Sequence, residues 1–446
     1  MDPCNVILIS LDTLRADHLG CYGWHRNTSP HLDALAEDGV LFKRCIAPFI
    51  PTFPAHTTIF TGRDPFDHRI VGQHQGEQAP TCSEEVPLLA ERLRRAGFYT
   101  AAADNLGRWF QRGFDLYQGY QWERPAQGPW RKAEAVNEAA FTALDSCLEQ
   151  DQPWFLFLHY WDPHTPYLPP PPFDRMFYPG DERDPENRSA ERMWQTYDAL
   201  RDYFRSWLPG MTDIDFPAHQ YDAEIAYLDA CLQHLWERLD AFGCFDDTMV
   251  VITADHGEEL TEHEMWYDHH GLYDTNLHVP LIIRHPDAEG DELDGMVTHL
   301  DLVPTILDAA GVAPEDELPG QSLLPLMDYG LETGTTGETY ILESTWLRKY
   351  GWRTNEWKLI IDLEDPHHQT PPLELYHLPT DPEEQHNLAD ERPEMVTALR
   401  TRCEQHRTRR MAETGRPDPL EAVGLAHRKI GDPNAAVPED PRGKKR

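Results

Sequence analysis

Apolar residues fall in short, dense runs separated by helical spacing. Val6-Ile7-Leu8-Ile9-Ser10-Leu11, Trp154-Phe155-Leu156-Phe157-Leu158-His159-Tyr160-Trp161 and Thr248-Met249-Val250-Val251-Ile252-Thr253-Ala254 are nearly unbroken. That is the pattern of strands buried on both faces. Residues 99–104 and 279–284 read as further strands. Between them the period changes. Residues 28–39 carry a Thr/Ser start, helical spacing and a Gly stop, and residues 87–96 begin on Pro87 and end before Gly97. Residues 221–239 place Ile225, Leu228, Leu232, Leu235 and Leu239 on one face, and residues 301–310 close on Gly311. Alternating strands and helices from 6 to about 311 predict an α/β fold with a mostly parallel sheet flanked by helices. Residues 174–215 are polar, aromatic and irregular and read as an insertion over one face.

After residue 330 the pattern shortens. Strands at 339–343, 350–354 and 357–361, then a helix at 392–410, predict a small α+β domain built on an antiparallel sheet. The expected organisation is a catalytic α/β domain over 1–325, a small domain over 330–412, and a disordered, Gly-, Pro- and charge-rich tail over 413–446.

Charge narrows the function classes. A formal net charge of -38 argues against nucleic-acid binding, which needs a basic surface, and against anionic membranes. Only seven residues are Lys, and an acidic, Lys-poor chain suits a salt-rich cytoplasm. No stretch reaches the ~18 apolar residues of a membrane span, and the start lacks the basic and apolar segments of a signal peptide. The eight Cys are scattered without C-x-x-C spacing, as expected of reduced cytosolic thiols. The expected location is cytoplasmic.

Candidate chemistry gathers at strand ends and at one helix start. Asp12 follows the first strand and Asp255-His256 follows the Thr248 strand, where α/β sheets place ligands. Asp162-Pro163-His164 follows a third strand. In Pro51-Thr52-Phe53-Pro54-Ala55-His56, Pro54 suits the first helical position and Thr52 stands just before it. Taken alone that stretch reads as an N-cap. Taken with the strand ends, Asp12, Thr52, Asp255 and His256 make a mixed oxygen and nitrogen ligand set. Such a set suits Zn²⁺, Mn²⁺ or Fe²⁺ better than Ca²⁺ or Mg²⁺, which remain alternatives. A metal would lower the pKa of the Thr52 hydroxyl, and the resulting alkoxide could attack phosphorus or sulfur. Arg15, His56, His164 and His270 are candidate donors to the transferred anion. Trp194, Tyr197 and Trp207 are read as packing the insertion, with stacking on a sugar or aryl group as the alternative.

Residues 5–23 (NVILISLDTLRADHLGCYG), 51–63 (PTFPAHTTIFTGR), 159–167 (HYWDPHTPY), 253–260 (TADHGEEL) and 374–388 (ELYHLPTDPEEQHNL) resemble, in order, the sulfatase family of the alkaline phosphatase superfamily. The resemblance implies an alkaline phosphatase-like mixed sheet domain with a small C-terminal sheet domain. It implies hydrolysis of small-molecule, sugar or aryl sulfate or phosphate esters. By motif position it implies Asp12, Thr52, Asp255 and His256 as metal ligands and His164 as the leaving-group or anion-contacting residue. Sulfatases carry a Cys or Ser that becomes formylglycine, two residues before a Pro and four before an Arg; here Thr52 and His56 hold those places, so formylglycine is excluded. Thr before Phe-Pro-x-His is similar to the nucleotide pyrophosphatase and phosphodiesterase branch, where Thr attacks directly. Thr13 stands where a second Asp is usual, and His256 where Asn is frequent. Asp162, His164 and His270 are expected at a second metal or at substrate, as in two-metal members. Alternatives are a phosphodiesterase, a phosphonate-type hydrolase, a phosphoryl transferase, or a catalytically silent anion-binding member.

Overall fold

The computed structural model describes residues 4–74, 79–125, 128–196, 201–329, 337–368 and 370–425; Tyr197 lies outside them. In chain order the first strands are β1 (Asn5–Leu11), β2 (Val40–Ile46), β3 (Phe49–Ile50), β4 (Tyr99–Ala103), β5 (Leu116–Gln118), β6 (Trp154–Tyr160) and β7 (Thr248–Thr253). They are followed by β8 (His278–Val279), β9 (Leu281–Arg284), β10 (Asp291–Thr298), β11 (Glu338–Ser344), β12 (Arg348–Thr354), β13 (Trp357–Glu364) and β14 (Leu373–His377).

The large sheet runs β10-β2-β9-β7-β1-β6-β4-β5, with β8 beside β2. The three densest apolar runs are its centre: β1 lies parallel to β6 and to β7, pairing Ile9 with Leu158 and with Ile252. Only β8 and β9 run against the rest, β9 between β7 and β2. The residue stretch 279–284 therefore supplies a reversed strand, and the sheet is mixed but mostly parallel. Helices Lys132–Leu148, Asp215–Ala241 and Pro30–Asp38 pack on one another as one layer. Helices Thr52–Thr61, Leu89–Arg95 and Leu302–Ala309 form the other. Parallel order carries the carboxyl ends of β1, β6 and β7 to one edge, so Asp12, Asp162 and Asp255 emerge on the same side.

The small sheet runs β14-β13-β12-β11-β3. Its members are antiparallel except for β3, which comes from the N-terminal half and pairs in parallel with β11, Phe49 opposite Leu342. The Thr52 helix leaves directly from β3 and is thereby tied to both sheets. Helix Pro393–Thr414 buries Val396, Leu399 and Cys403 in the cluster that holds Phe49, Phe66, Tyr340 and Leu342. The expected disorder from 413 is corrected over 413–425. The helix continues through Thr414, and Pro419–Ala422 adds a turn capped by Asp418, whose carboxylate holds Arg407. A buried ion pair of this kind fixes a segment that composition alone reads as polar tail. Residues 426–446 lie outside the described residues.

Candidate active site

The helix bearing Thr52 begins two residues earlier than its sequence suggests. It spans Thr52–Thr61 with Pro51 before it and ends on Gly62, whose left-handed φ of 65° lets its N–H reach the Thr58 carbonyl. Thr52 is thus the first helical residue, and among the described residues its hydroxyl accepts from no backbone N–H. Thr52 Oγ1 instead accepts from Gln73 Nε2 at 2.8 Å and lies 3.3 Å from His256 Nε2.

His256 in turn gathers with Asp12 and Asp255. All three are fully buried, and one ligand atom from each lies within 4.8 Å of the others. Asp255 Oδ1 accepts from the backbone N–H of Thr13 (3.1 Å) and of His256 (2.9 Å). Asp255 Oδ2 and Asp12 Oδ1 have no hydrogen-bond partner. A carbonyl can only accept, so His256 Nδ1 carries the proton it gives to Gly257 O at 2.9 Å. That leaves Nε2 turned toward the carboxylates, with Asp255 Oδ2 at 3.2 Å. Buried carboxylate oxygens without donors are costly unless a cation offsets them. Two such oxygens, an oriented imidazole and a hydroxyl fit a divalent ion with nitrogen and oxygen ligands. Burial opposes charge on Asp255, but His256, His56 and His159 outweigh it and hold the carboxyl far below its usual range.

Two residues not assigned from sequence support this cluster. His159, on β6, bridges Asp104 Oδ1 at 2.9 Å and Asp12 Oδ2 at 3.1 Å. Burial works against its charge, yet the two carboxylates push its pKa up to about 10, so it is an imidazolium at neutral pH. The second is Gln73, the hydrogen-bond donor to Thr52. A sequence signal for His159 existed: it is the one histidine inside the apolar run of β6. Gln73 lies in an irregular segment with no pattern to mark it.

Other expected residues are placed differently. Arg15 is buried, but Asp17 takes its Nε (2.9 Å) and Nη2 (2.8 Å), and Glu262 takes Nη1 (2.8 Å). Its charge is answered inside the chain by these two carboxylates. His56 gives Nδ1–H to Thr52 O at 2.9 Å and has Ser10 Oγ at 3.0 Å from Nε2. Burial lowers its pKa. It braces the first turn of the helix. His164 is half-buried, and its pKa is also lowered by burial. Its Nδ1 donates to Thr165 O at 2.7 Å. Its ring centroid lies 5.0 Å from that of His269, which is 4.9 Å from that of His256.

Asp162, His164 and His270 form no joint ligand group among the described residues. Asp162 is held by Lys132, Nζ to Oδ1 3.4 Å, so an internal ammonium already answers its charge. His270 instead belongs with Asp268 and His269, a second set of closely spaced ligand atoms. His270 Nε2 is 3.3 Å from Asp268 Oδ1, and Nδ1 is 2.7 Å from Glu343 Oε1 of the small domain. Trp207 packs against Phe204 of the insertion at 6.1 Å and edge-on against Tyr167 of the loop after β6 at 5.4 Å, and Trp194 gives its indole N–H to Met211 O at 3.0 Å, so both aromatics take part in the packing of the insertion. A cavity of about 880 Å³ lies at the opposite edge of the large sheet, beside Asn5, Trp154 and Asp247, and includes none of these residues.

The described sequence matches known proteins over most of its length. The family model described as Sulfatase matches residues 4–312, and that of the N-sulphoglucosamine sulphohydrolase C-terminal region matches 261–409. The chain is 23% identical to the N-acetylglucosamine-6-O-sulfatase of Bacteroides thetaiotaomicron, over 86% of this chain and 82% of that protein. It is 26% identical to the choline-sulfatase of Rhizobium meliloti, over 81% and 78%. Among solved structures, the phosphonate monoester hydrolase of Agrobacterium radiobacter shares the fold with a TM-score of 0.72 at 23% identity, over 91% of this chain and 96% of that one.

Proposed function

The chain belongs to the sulfatase family, whose relatives here hydrolyse sulfuric or phosphoric esters, and on that premise we propose that Thr52 is its nucleophile. One observation carries this reading. The Thr52 hydroxyl lies 3.3 Å from His256 Nε2, and His256 groups with Asp12 and Asp255, each of which has a buried carboxylate oxygen without a hydrogen-bond partner. Asp12, Thr52, Asp255 and His256 are the proposed ligands of a divalent cation, with Mn²⁺, Zn²⁺ or Fe²⁺ favoured by the nitrogen of His256. Such a cation lowers the pKa of an alcohol and offsets the charge of the transferred group.

The chain's own residues supply the remaining steps. Gln73 holds the Thr52 oxygen toward the cluster. Thr52 Oγ1, its proton released to solvent, would form the bond to phosphorus or sulfur as the bond to the ester oxygen breaks, and the imidazolium form of His164 would give that oxygen the proton on Nε2 while Nδ1–H stays on Thr165 O. Water then cleaves the Thr52 ester. Thr cannot be converted to formylglycine, so a direct attack replaces the aldehyde hydrate. The substrate class is a small sulfate or phosphate ester, such as that of a sugar or an aryl alcohol; the named relatives are sulfatases of a sugar and of choline, and phosphonate monoester hydrolases. All eight Cys are unpaired, which supports a reducing, cytoplasmic location. No helix among the described residues is long and apolar enough to cross a membrane. The units proposed are a catalytic domain to about 325 and a small sheet domain beyond 330.

The test is a panel of 4-nitrophenyl sulfate, phosphate and phosphodiester substrates with added Mn²⁺ or Zn²⁺. Turnover of at least one, abolished by chelation, is expected. No turnover on any would leave a silent, anion-binding protein as the correct reading.

A further inference from the structure

Lysine is scarce in this chain and rarely buried in any, yet Lys132 is 2% exposed. It is the first residue of helix Lys132–Leu148 and points into the loop that leaves β6. Its Nζ donates to the His164 carbonyl at 2.7 Å, and lies 3.4 Å from Asp162 Oδ1 and 3.9 Å from Glu224 Oε1. Asp162 and Glu224 are fully buried, and neither Asp162 oxygen accepts a hydrogen bond. Glu224 Oε1 in turn accepts from the Leu168 N–H at 2.6 Å. The loop is therefore gripped at its start, middle and end by one ammonium and one carboxyl, each from a different helix.

The grip bears on one side chain. The His164 carbonyl is fixed by Lys132, and its ring is fixed by the bond from Nδ1 to Thr165 O at 2.7 Å. Carbonyl and ring together set where Nε2 points. A buried ammonium is costly unless its partners are well placed, and a loop could be closed more cheaply by apolar packing. We propose that Lys132 is a positioning residue that holds His164 in line to protonate the leaving oxygen. This rests on the role assigned to His164.

The test compares a poor leaving group, a phenyl ester, with a good one, the 4-nitrophenyl ester of the same acid, in the metal-loaded protein. Loss of general acid catalysis costs 10²–10⁴-fold, roughly, where the leaving group needs a proton. His164→Ala should therefore lose about 100-fold or more on the phenyl ester and little on the nitrophenyl ester. Lys132→Met should show the same selective loss, and the double variant should be no worse than His164→Ala alone. A structural role would instead lower both esters equally. Uniform loss in His164→Ala would refute the assignment of His164 and this inference with it. Selective loss in His164→Ala beside uniform loss in Lys132→Met would overturn the inference alone. If Lys132→Met does not fold, Lys132→Arg keeps the charge but carries a larger head that shifts the carbonyl, and the same selective loss is expected. Equal loss on both esters in that variant would overturn the inference.

Discussion

Asp255→Asn separates the proposed metal ligand from the scaffold around it. Asp255 Oδ1 accepts from the N–H groups of Thr13 and His256, and the carboxamide oxygen of Asn can accept both. The change falls on Oδ2, the oxygen without a partner, which becomes an NH₂ that cannot bind a cation. With both backbone bonds kept, metal-free protein should lose no more than about 1 kcal/mol of stability. The effect on metal is larger. Outer-shell partners of a metal typically change its affinity 10–100-fold, so losing a ligand oxygen should cost at least ~100-fold, or about 2.7 kcal/mol. Titration of Mn²⁺ against a competing chelator measures this directly. Thermal unfolding checks it independently, since metal at 100 times its Kd stabilises the folded state by about 2.7 kcal/mol. That stabilisation should largely vanish in Asp255→Asn at the same metal concentration. Unchanged affinity, with the fold intact, would refute the ligand assignment.

Thr52→Ala should lower turnover on the order of 10³-fold or more, while losing only ~1 kcal/mol of stability for the bond from Gln73; Thr52→Ser should keep measurable activity. Gly72→Ala would drive its Cβ to 1.9 Å from Ser344 O, so it should cost about 1–3 kcal/mol and reduce turnover by moving the neighbouring Gln73 off Thr52, both read by melting and steady-state rates. His263 reaches Glu259 from the large domain and the Glu384 carbonyl of the small one. Burial opposes its charge, but these partners raise its pKa to about 9. A raised pKa stabilises fully below the unfolded value near 6.5 and is lost as pH climbs toward 9. The stability of the wild type should therefore fall across that window more steeply than that of His263→Gln, as followed by denaturant midpoints.

The parts of the fold that sequence exposes are those with high contrast. The runs of β1, β6 and β7 are apolar on both faces and are the central strands. Because β1 and β7 are neighbours, Asp12 and Asp255 come together without further information. Helix Lys132–Leu148 carries its buried stripe largely on Ala133, Ala139, Ala140 and Ala143, so it contrasts weakly with its surroundings and is not predicted. Strand β10 opens on Asp291-Glu292 at the sheet edge and is not predicted. What sequence does not show at the other candidate residues is their long-range partners. Arg15 lies next to the right strand end, but nothing in its segment shows that Glu262 will take its guanidinium. Asp162 follows β6 as expected, and only the packing of a helix absent from the prediction reveals Lys132 beside it. His159 is fixed by Asp104 and Asp12 from two other strands, a relation set by sheet order.

The central claim is a covalent bond at Thr52, and trapping tests it most directly. Protein quenched in acid during turnover of a 4-nitrophenyl ester is digested and its peptides are weighed. The account predicts a phosphoryl or sulfuryl group on the peptide containing Thr52, absent from Thr52→Ala. An unmodified Thr52 peptide in protein that shows a burst of nitrophenol, or the adduct on another residue, would contradict it.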